Sequence, residues 1–413
     1  MSALTVDARP DTAAPPRRLL RAVLLMAGSC LPILGAVLIA PVLPRMQDHF
    51  AHSAGAEALV PVALTVPALA LGLLAPFAGV LIDRLGRRRL LVGATVAYAV
   101  VGTAPLWLDS LPAIVASRAL VGVTEAVIMT SCTTLIGDYW TGRARDRFLA
   151  LQTVCAALSA TAFFVVGGAV GSAGWRAPFW AYAVSLLLAP MMAVVLRAPK
   201  ETATGQDPAG GAAPGSGAGA AERRPFPFRR LAGTCTLTFF GAVVFYTVPV
   251  EMSFLLDDLG ISAPAVIGLA TAVASAATVA GAAGFARFAD GAQRYLPYVL
   301  ALCAAGFGVM AVATAAPVLI AGAVVNCLGT GVLLPTLLTR AMALLGHEDR
   351  GRGTGLWNAA FFLGEFVCPL VLLGVSAAVG GLAGAVGVLA VATAAVAAGL
   401  HLGARRSSPA TAG

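Results

Sequence analysis

Charge is what this sequence has least of. Asp, Glu, Lys and Arg make up 11% of its 413 residues and hydrophobic residues 59%, where soluble domains carry about 25% charged residues. So few charges cannot cover the surface of a soluble protein of this length, which excludes a globular domain in water. Lysine is nearly missing, because Arg supplies 26 of the 27 cationic side chains. The seven cysteines (30, 132, 155, 235, 303, 327 and 368) all fall in apolar stretches without Cys-x-x-Cys spacing. They read as small apolar fillers, with no metal or disulfide role. No Gly-x-x-x-x-Gly-Lys loop occurs, which argues against a nucleotide as energy source. No nucleophile–base pair is visible either, so no catalytic residue, metal or cofactor is assigned.

What is present is length and apolarity. A bilayer core takes about 20 mostly apolar residues per helix. Stretches meeting that test lie near 22–44, 58–82, 90–108, 111–136, 148–172 and 177–197, then near 231–256, 264–286, 295–314, 317–344, 353–377 and 379–402. The expected fold is therefore an all-α integral membrane protein of 12 transmembrane helices. Its predicted parts are a tail over 1–21, a six-helix bundle over 22–197, a linker over 198–230, a second six-helix bundle over 231–403 and a tail over 404–413. The apolar stretch after Arg17, Arg18 and Arg21 is too long for a signal-peptide core, so it reads as the first span. The linker is rich in Gly, Ala and Pro and ends in Arg223-Arg224-Pro225-Phe226-Pro227-Phe228-Arg229-Arg230. That end is either an orientation signal or an arm along an anionic leaflet.

The arginines fall on alternate connections. Arg17 to Arg21, the 83–89 turn, Arg143, Arg145 and Arg147, the linker, Arg287 and Arg294, Arg350 and Arg352, and Arg405 and Arg406 share one side. The other side has Arg45 and Arg176, with acids at Asp109, Asp257 and Asp258. By the positive-inside rule both termini are expected in the cytoplasm. The net charge of +8 follows from this bias and implies no nucleic-acid partner.

One turn carries more than orientation. Gly79-Val80-Leu81-Ile82-Asp83-Arg84-Leu85-Gly86-Arg87-Arg88 resembles, without a gap, the Gly-x-Leu-x-Asp-Arg-x-Gly-Arg-Arg loop between helices two and three of the major facilitator superfamily. The resemblance implies two homologous six-helix halves and gating roles for Gly79, Asp83, Gly86 and Arg87. Asp83 would cap the start of the eleventh helix near Gly353. An anion there gains about 0.3–1 kcal/mol, or about 2 when partly buried. Arg87 would pair with an acid at the end of the fourth helix, where Asp138 stands. A weaker second copy, Ala286-Arg287-Phe288-Ala289-Asp290 followed by Arg294, lies between the eighth and ninth spans.

In the fourth span Arg118, Gly122 and Glu125 share one face, and Arg118-x-x-x-Gly122 resembles the fourth-helix motif of proton-coupled exporters. An ionised group at mid-membrane costs about 2.5–3.5 kcal/mol on insertion scales, so it needs a wet cavity or a partner. Arg118 and Glu125 lie about 10 Å apart along the axis, too far for a simple bridge. Arg118 is read as handling substrate or protons, with structural pairing as the alternative. The eleventh span carries Asn358, Phe361, Phe362 and Glu365, and with Glu125 it gives each half one buried carboxyl for proton exchange. Glu251 in the seventh span is either a coupling acid or a solvated rim residue. Tyr246 and Phe245, Asn326 and Thr330, and Asn358, Phe361 and Phe362 are cavity-lining candidates. The fifth span, Ala162 to Arg176 with Gly167-Gly168, Gly171 and Gly174, lacks the Gly-Pro pair of the antiporter pattern Gly-x-x-x-Gly-Pro-x-x-Gly-Gly. That departure leaves the direction of transport open.

The expected function is alternating-access transport, with protons as coupling ion and export of a small amphipathic organic compound. The alternatives are proton-coupled uptake and a non-transporting receptor or scaffold with the same fold. The expected partners are a small-molecule substrate, protons and the lipid bilayer. The expected setting is a monomer in a bacterial plasma membrane.

Overall fold

The computed structural model describes residues 15–196, 228–288, 292–346 and 349–407, and over 75–85 it describes the helical backbone without the side chains. Residues 1–14 and 408–413 of the two tails, nearly all of the linker, and Ala289 and Asp290 of the second turn copy lie outside the described residues, while 15–21 and 404–407 continue the first and last helices. Among the described residues, twelve segments are long and apolar enough to cross a membrane. An even number puts the first and last spans' free ends on one side, here the terminal side; the other is the far side.

Prolines decide where the first and sixth spans stop being α-helical. The first is α1 (Pro15–Val37), a 3-10 turn at Ala40–Val42 and α2 (Leu43–His49). Pro41 and Pro44 each lack the amide proton that would continue the ladder. The second and third spans are α3 (Ala56–Leu85) and α4 (Arg87–Thr103), the fourth is α5 (Leu111–Tyr139) and the fifth α6 (Gly142–Gly171). The sixth begins as 3-10 helix over Ala177–Val184, with Pro178 in its first turn, and continues as α7 (Ser185–Val195). The second half follows as α8 (Phe228–Asp258), α9 (Pro264–Phe288), α10 (Ala292–Ala311), α11 (Ala316–Ala343), α12 (Arg350–Val379) and α13 (Leu382–Ser407).

The charged 138–147 stretch, expected as a turn, is mostly helix. Asp138 is in the last turn of α5 and Arg143, Arg145 and Arg147 are in the first turns of α6. The helices extend beyond their apolar segments because charged side chains at their ends reach water. The reversal itself takes two residues, Trp140 and Thr141, and α6 opens on Gly142 at a positive φ of 54°.

Within the first half α3 and α4 pack on α5, and α1 packs on α5, α6 and α7. Within the second, α9 and α10 pack on α11, α13 on α10, and α12 on α8. The largest contacts between the halves are α3 with α12 and α6 with α9, and the 3-10 turn and α2 of the first span add smaller ones to α8 and α9. Lipid offers helices no hydrophobic drive to associate, so small residues and close backbone approach hold them together. The α6–α9 contact is of that kind. A Cβ built on Gly168 would lie 2.4 Å from the Pro264 carbonyl oxygen, and one on Gly268 2.4 Å from that of Phe164. Thr161 and Ser275 hydrogen-bond across the same contact at 3.0 Å.

Candidate functional site

The terminal-side turn reverses at Gly86, whose φ of 85° is open to glycine at little cost. A Cβ there would meet nothing within 4 Å, so conformation, and not space, calls for the glycine. Arg87 opens α4 and its Nη1 is ion-paired with Asp138 Oδ1. Arg88, read from sequence as orientation charge, donates Nη2–H to the Ala193 carbonyl and so ties α4 to α7. The side chains of Gly79 and Asp83 lie outside the described residues, and with them the expected cap on α12.

Deeper in the first half, Arg118 is fully buried. Its Nε donates to the Ala63 carbonyl at 3.0 Å, Nη2 to the Gly35 carbonyl at 2.6 Å and Nη1 to the Tyr182 hydroxyl at 2.5 Å. One guanidinium thus joins α1, α3, α5 and the sixth span. Gly122, one turn on, brings α5 against α3, since a Cβ there would lie 2.3 Å from the Pro67 carbonyl oxygen. This is the partner-satisfied alternative for Arg118: its donors are spent on protein acceptors.

Glu125 projects from the same helix and is 1% exposed. Its Oε1 occupies the space a side chain at Gly35 would fill, 1.8 Å from an ideal Cβ, and has no hydrogen-bond partner. Gly35 therefore serves twice, through its carbonyl to Arg118 and its missing Cβ to Glu125. Nothing in the local sequence around Gly35 marks it, because both roles depend on a helix remote in the chain.

The second half brings its own carboxyl to the same region. Glu365 on α12 is 3% exposed and its Oε2 is unpartnered. The Tyr246 hydroxyl of α8 lies beside that carboxyl, and Glu125 is near enough to act on both electrostatically. The two buried acids, one per half, are thus both within electrostatic reach of Tyr246. Tyr246 and Phe245 also line a cavity of about 200 Å³ walled by both halves, with Ile33 and Ala36 of α1, Ala160 of α6 and Ser275 of α9.

The other lining candidates go elsewhere. Asn326 is fully buried between α10 and α11, where Nδ2 donates to the Cys303 carbonyl at 3.2 Å, and it does not line this cavity. Thr330 is buried likewise and donates to the Cys327 carbonyl at 3.1 Å. Their polarity suggested a ligand, yet α11 is packed against α9 and α10 at that face. Phe362 meets α3, its Cβ 3.2 Å from the position of a Cβ on Gly72. Phe361 stacks on Trp357 at 5.8 Å and touches Phe245 and Tyr246, so it stands behind the cavity wall. Trp357 went unread in the sequence because its i, i+4 partner supplies the meaning. Asn358 is half-buried and does not line this cavity. Glu251, 4% exposed, lines a different, far-side pocket, with Cys368 within electrostatic reach of both Glu251 and Glu365.

Twelve spans in two packed sets of six, with acids and a cavity at their junction, define a membrane carrier. The Major Facilitator Superfamily model matches residues 25–254, more than half of the chain, and the chain belongs to that superfamily. Its described residues give it the spans of a multi-pass membrane protein. The tetracycline resistance protein, class C, of Escherichia coli is 35% identical over 159 residues, 37% of this chain and 39% of that protein. The multidrug efflux pump LfrA of Mycolicibacterium smegmatis is 32% identical over 170 residues, 40% of this chain and 32% of that protein. The chain thus matches well under half the length of these relatives. Among solved structures, a D-xylose-proton symporter superposes with a TM-score of 0.74 at 12% identity, covering 93% of this chain and 97% of that one. A bacterial homolog of the human lysosomal transporter Spinster, inward-facing and occupied, gives 0.72 at 16% identity over 96% and 100%. At such identities these two speak for the fold alone. The relatives come from bacteria, in keeping with a bacterial plasma membrane.

Proposed function

We propose that this chain exports a small amphipathic organic compound in exchange for protons by alternating access, with its termini in the cytoplasm. The observation that carries the reading is that Glu125 and Glu365, one from each half, lie within electrostatic reach of each other and of Tyr246, which lines the two-sided cavity. Two acids placed this way take up or release protons as the halves part. Each charge crossing about 100 mV contributes about 2.3 kcal/mol, more than a tenfold concentration ratio. The resistance and efflux roles in the relatives' names support the export direction. Arg87 with Asp138 forms the terminal-side gate, to which Asp83 is assigned by its motif. Arg118 holds the cavity wall in place and does not itself carry protons, since its three donor nitrogens are engaged by Gly35, Ala63 and Tyr182.

Everted vesicles with an acidified lumen test it, with tetracycline, ciprofloxacin and ethidium as probes. An exchanger draws protons out as a probe enters, so luminal pH rises on addition. A symporter would deepen the acidification, and an absence of any proton movement across a broader metabolite panel would favour a receptor. Labelling of Ser53→Cys on intact cells tests the orientation. It reacts from outside if the far side faces out and requires permeabilisation otherwise.

A further inference from the structure

The far side of the molecule holds a second pocket, of about 290 Å³, shared between the halves. Gln47 of α2 and Glu57 of α3 face it from the first half, and Glu251, Phe254 and Asp258 of α8 from the second. Glu251 lines it from a position only 4% exposed, and among the described residues it has neither a hydrogen bond nor a neighbouring charge. A buried carboxyl turned into an open space without a partner is costly unless the space is occupied by something that satisfies it. Glu57 and Asp258 stand exposed at the rim, and Asp257 beside them feels Asp48 and Asp258. The basic residues of this side are turned elsewhere. Arg45 donates to the Gly171 carbonyl, and Arg176 pairs with Asp109.

The sign and shape select the occupant. Among the described residues no three His, Cys, Asp or Glu side chains are grouped to hold a metal ion. The space is far larger than a single water, whose share of the liquid is about 30 Å³. It approaches the small end of organic-ligand pockets, about 300 Å³. Phe254, Pro61 and Leu373 supply apolar wall, with an aromatic face suited to a cation. We propose that this pocket binds a small organic ammonium ion, with Glu251 at the base and Glu57 and Asp258 at the rim. This is a site separate from the central cavity. Because its walls come from both halves, the bound cation bridges them and favours closure of the far side.

The test is direct binding of benzyltrimethylammonium to the full chain in nanodiscs, with benzyl alcohol as the neutral control. The wild type should bind the ammonium at least about tenfold tighter than the alcohol. Glu251→Gln should weaken it about tenfold, the size of a charge-assisted contact. Asp258→Asn, on the exposed rim where folding is not at stake, should weaken it about threefold. Phe245→Leu, in the wall of the central cavity and away from the far-side pocket, should leave the affinity within about twofold. Equal affinity for the two probes, or Asp258→Asn and Glu251→Gln both binding as wild type, would overturn the site. Loss of binding in Phe245→Leu would move the probe to the central cavity and overturn it equally. Binding is read without transport, so a failure of proton-coupled export leaves this result standing, and the reverse.

Discussion

Arg118 in α5 and Asn326 in α11 are both fully buried, each in the fourth span of its half. Arg118 makes three hydrogen bonds to three other segments. Asn326 makes one through its amide, to Cys303, and its Oδ1 is left without a partner. The first half is thus clamped around one cation, and most of its buried hydrophobic residues join one cluster, which also takes in Val250 and Ala272 of the second half. The second half is divided among three clusters and held largely by close backbone approach. A Cβ on Gly306 would lie 2.4 Å from the Asn326 nitrogen, and one on Gly331 2.2 Å from the Thr278 carbonyl oxygen. Close glycine contacts serve both halves, as at Gly122 on Pro67 and Gly167 on Leu38 in the first; the first half adds a buried polar clamp to them.

Substitutions that strike one half's device should therefore leave the other's intact. Arg118→Ala should have the largest effect, because it strips three buried acceptors of their donor at about 1–3 kcal/mol for each group left unsatisfied. Thermal unfolding of the purified protein should show a large fall in Tm, and Arg118→Lys should recover only part, lacking the planar fork. Gly168→Leu should come next, since it drives a side chain into α9 where a Cβ alone is too close. Overpacking of this kind costs about 1–3 kcal/mol, and transport should be lost even where folding survives. Asn326→Ala should cost about 1 kcal/mol, one ordinary hydrogen bond, as read by the same unfolding assay. The smallest effect on stability belongs to Arg87→Ala, whose pair with Asp138 is solvent-screened at 37% and 27% exposure and contributes about 0–1 kcal/mol. Its effect should appear in the balance of conformations, as a shift toward opening on the terminal side.

The twelve spans, the shared side of their first and last ends and the Arg87–Asp138 pair could all be read from the chain, because each rests on local composition or on a contiguous motif. The breaks in the first and sixth spans were signalled by Pro41, Pro44 and Pro178 but not placed. The site itself was half legible. Glu125 and Glu365 stood out as acids in apolar helices, and their coming within electrostatic reach of each other depends on how the two halves dock. Gly35 and Trp357 carry meaning only through tertiary neighbours. Asn326 and Thr330 misled for the opposite reason: a polar residue in a membrane helix invites a ligand, and here a neighbouring backbone carbonyl takes that place. In the fifth span, the glycines of the altered pattern have a structural reason independent of transport direction. A Cβ on Gly167 would lie 2.0 Å from the Leu38 carbonyl oxygen, so α6 needs them to pack on the first span as well as on α9.

The central claim is that protonation of one carboxyl in each half drives the exchange between conformations. Spin labels at Ser53→Cys and Ser262→Cys, in a chain freed of its native cysteines, report the far-side distance between the halves. The wild type should change its distance distribution between mildly acidic and mildly alkaline pH, and Glu125→Gln with Glu365→Gln should abolish that change. A wild-type distribution indifferent to pH, or a double variant that still responds as the wild type does, would contradict the account.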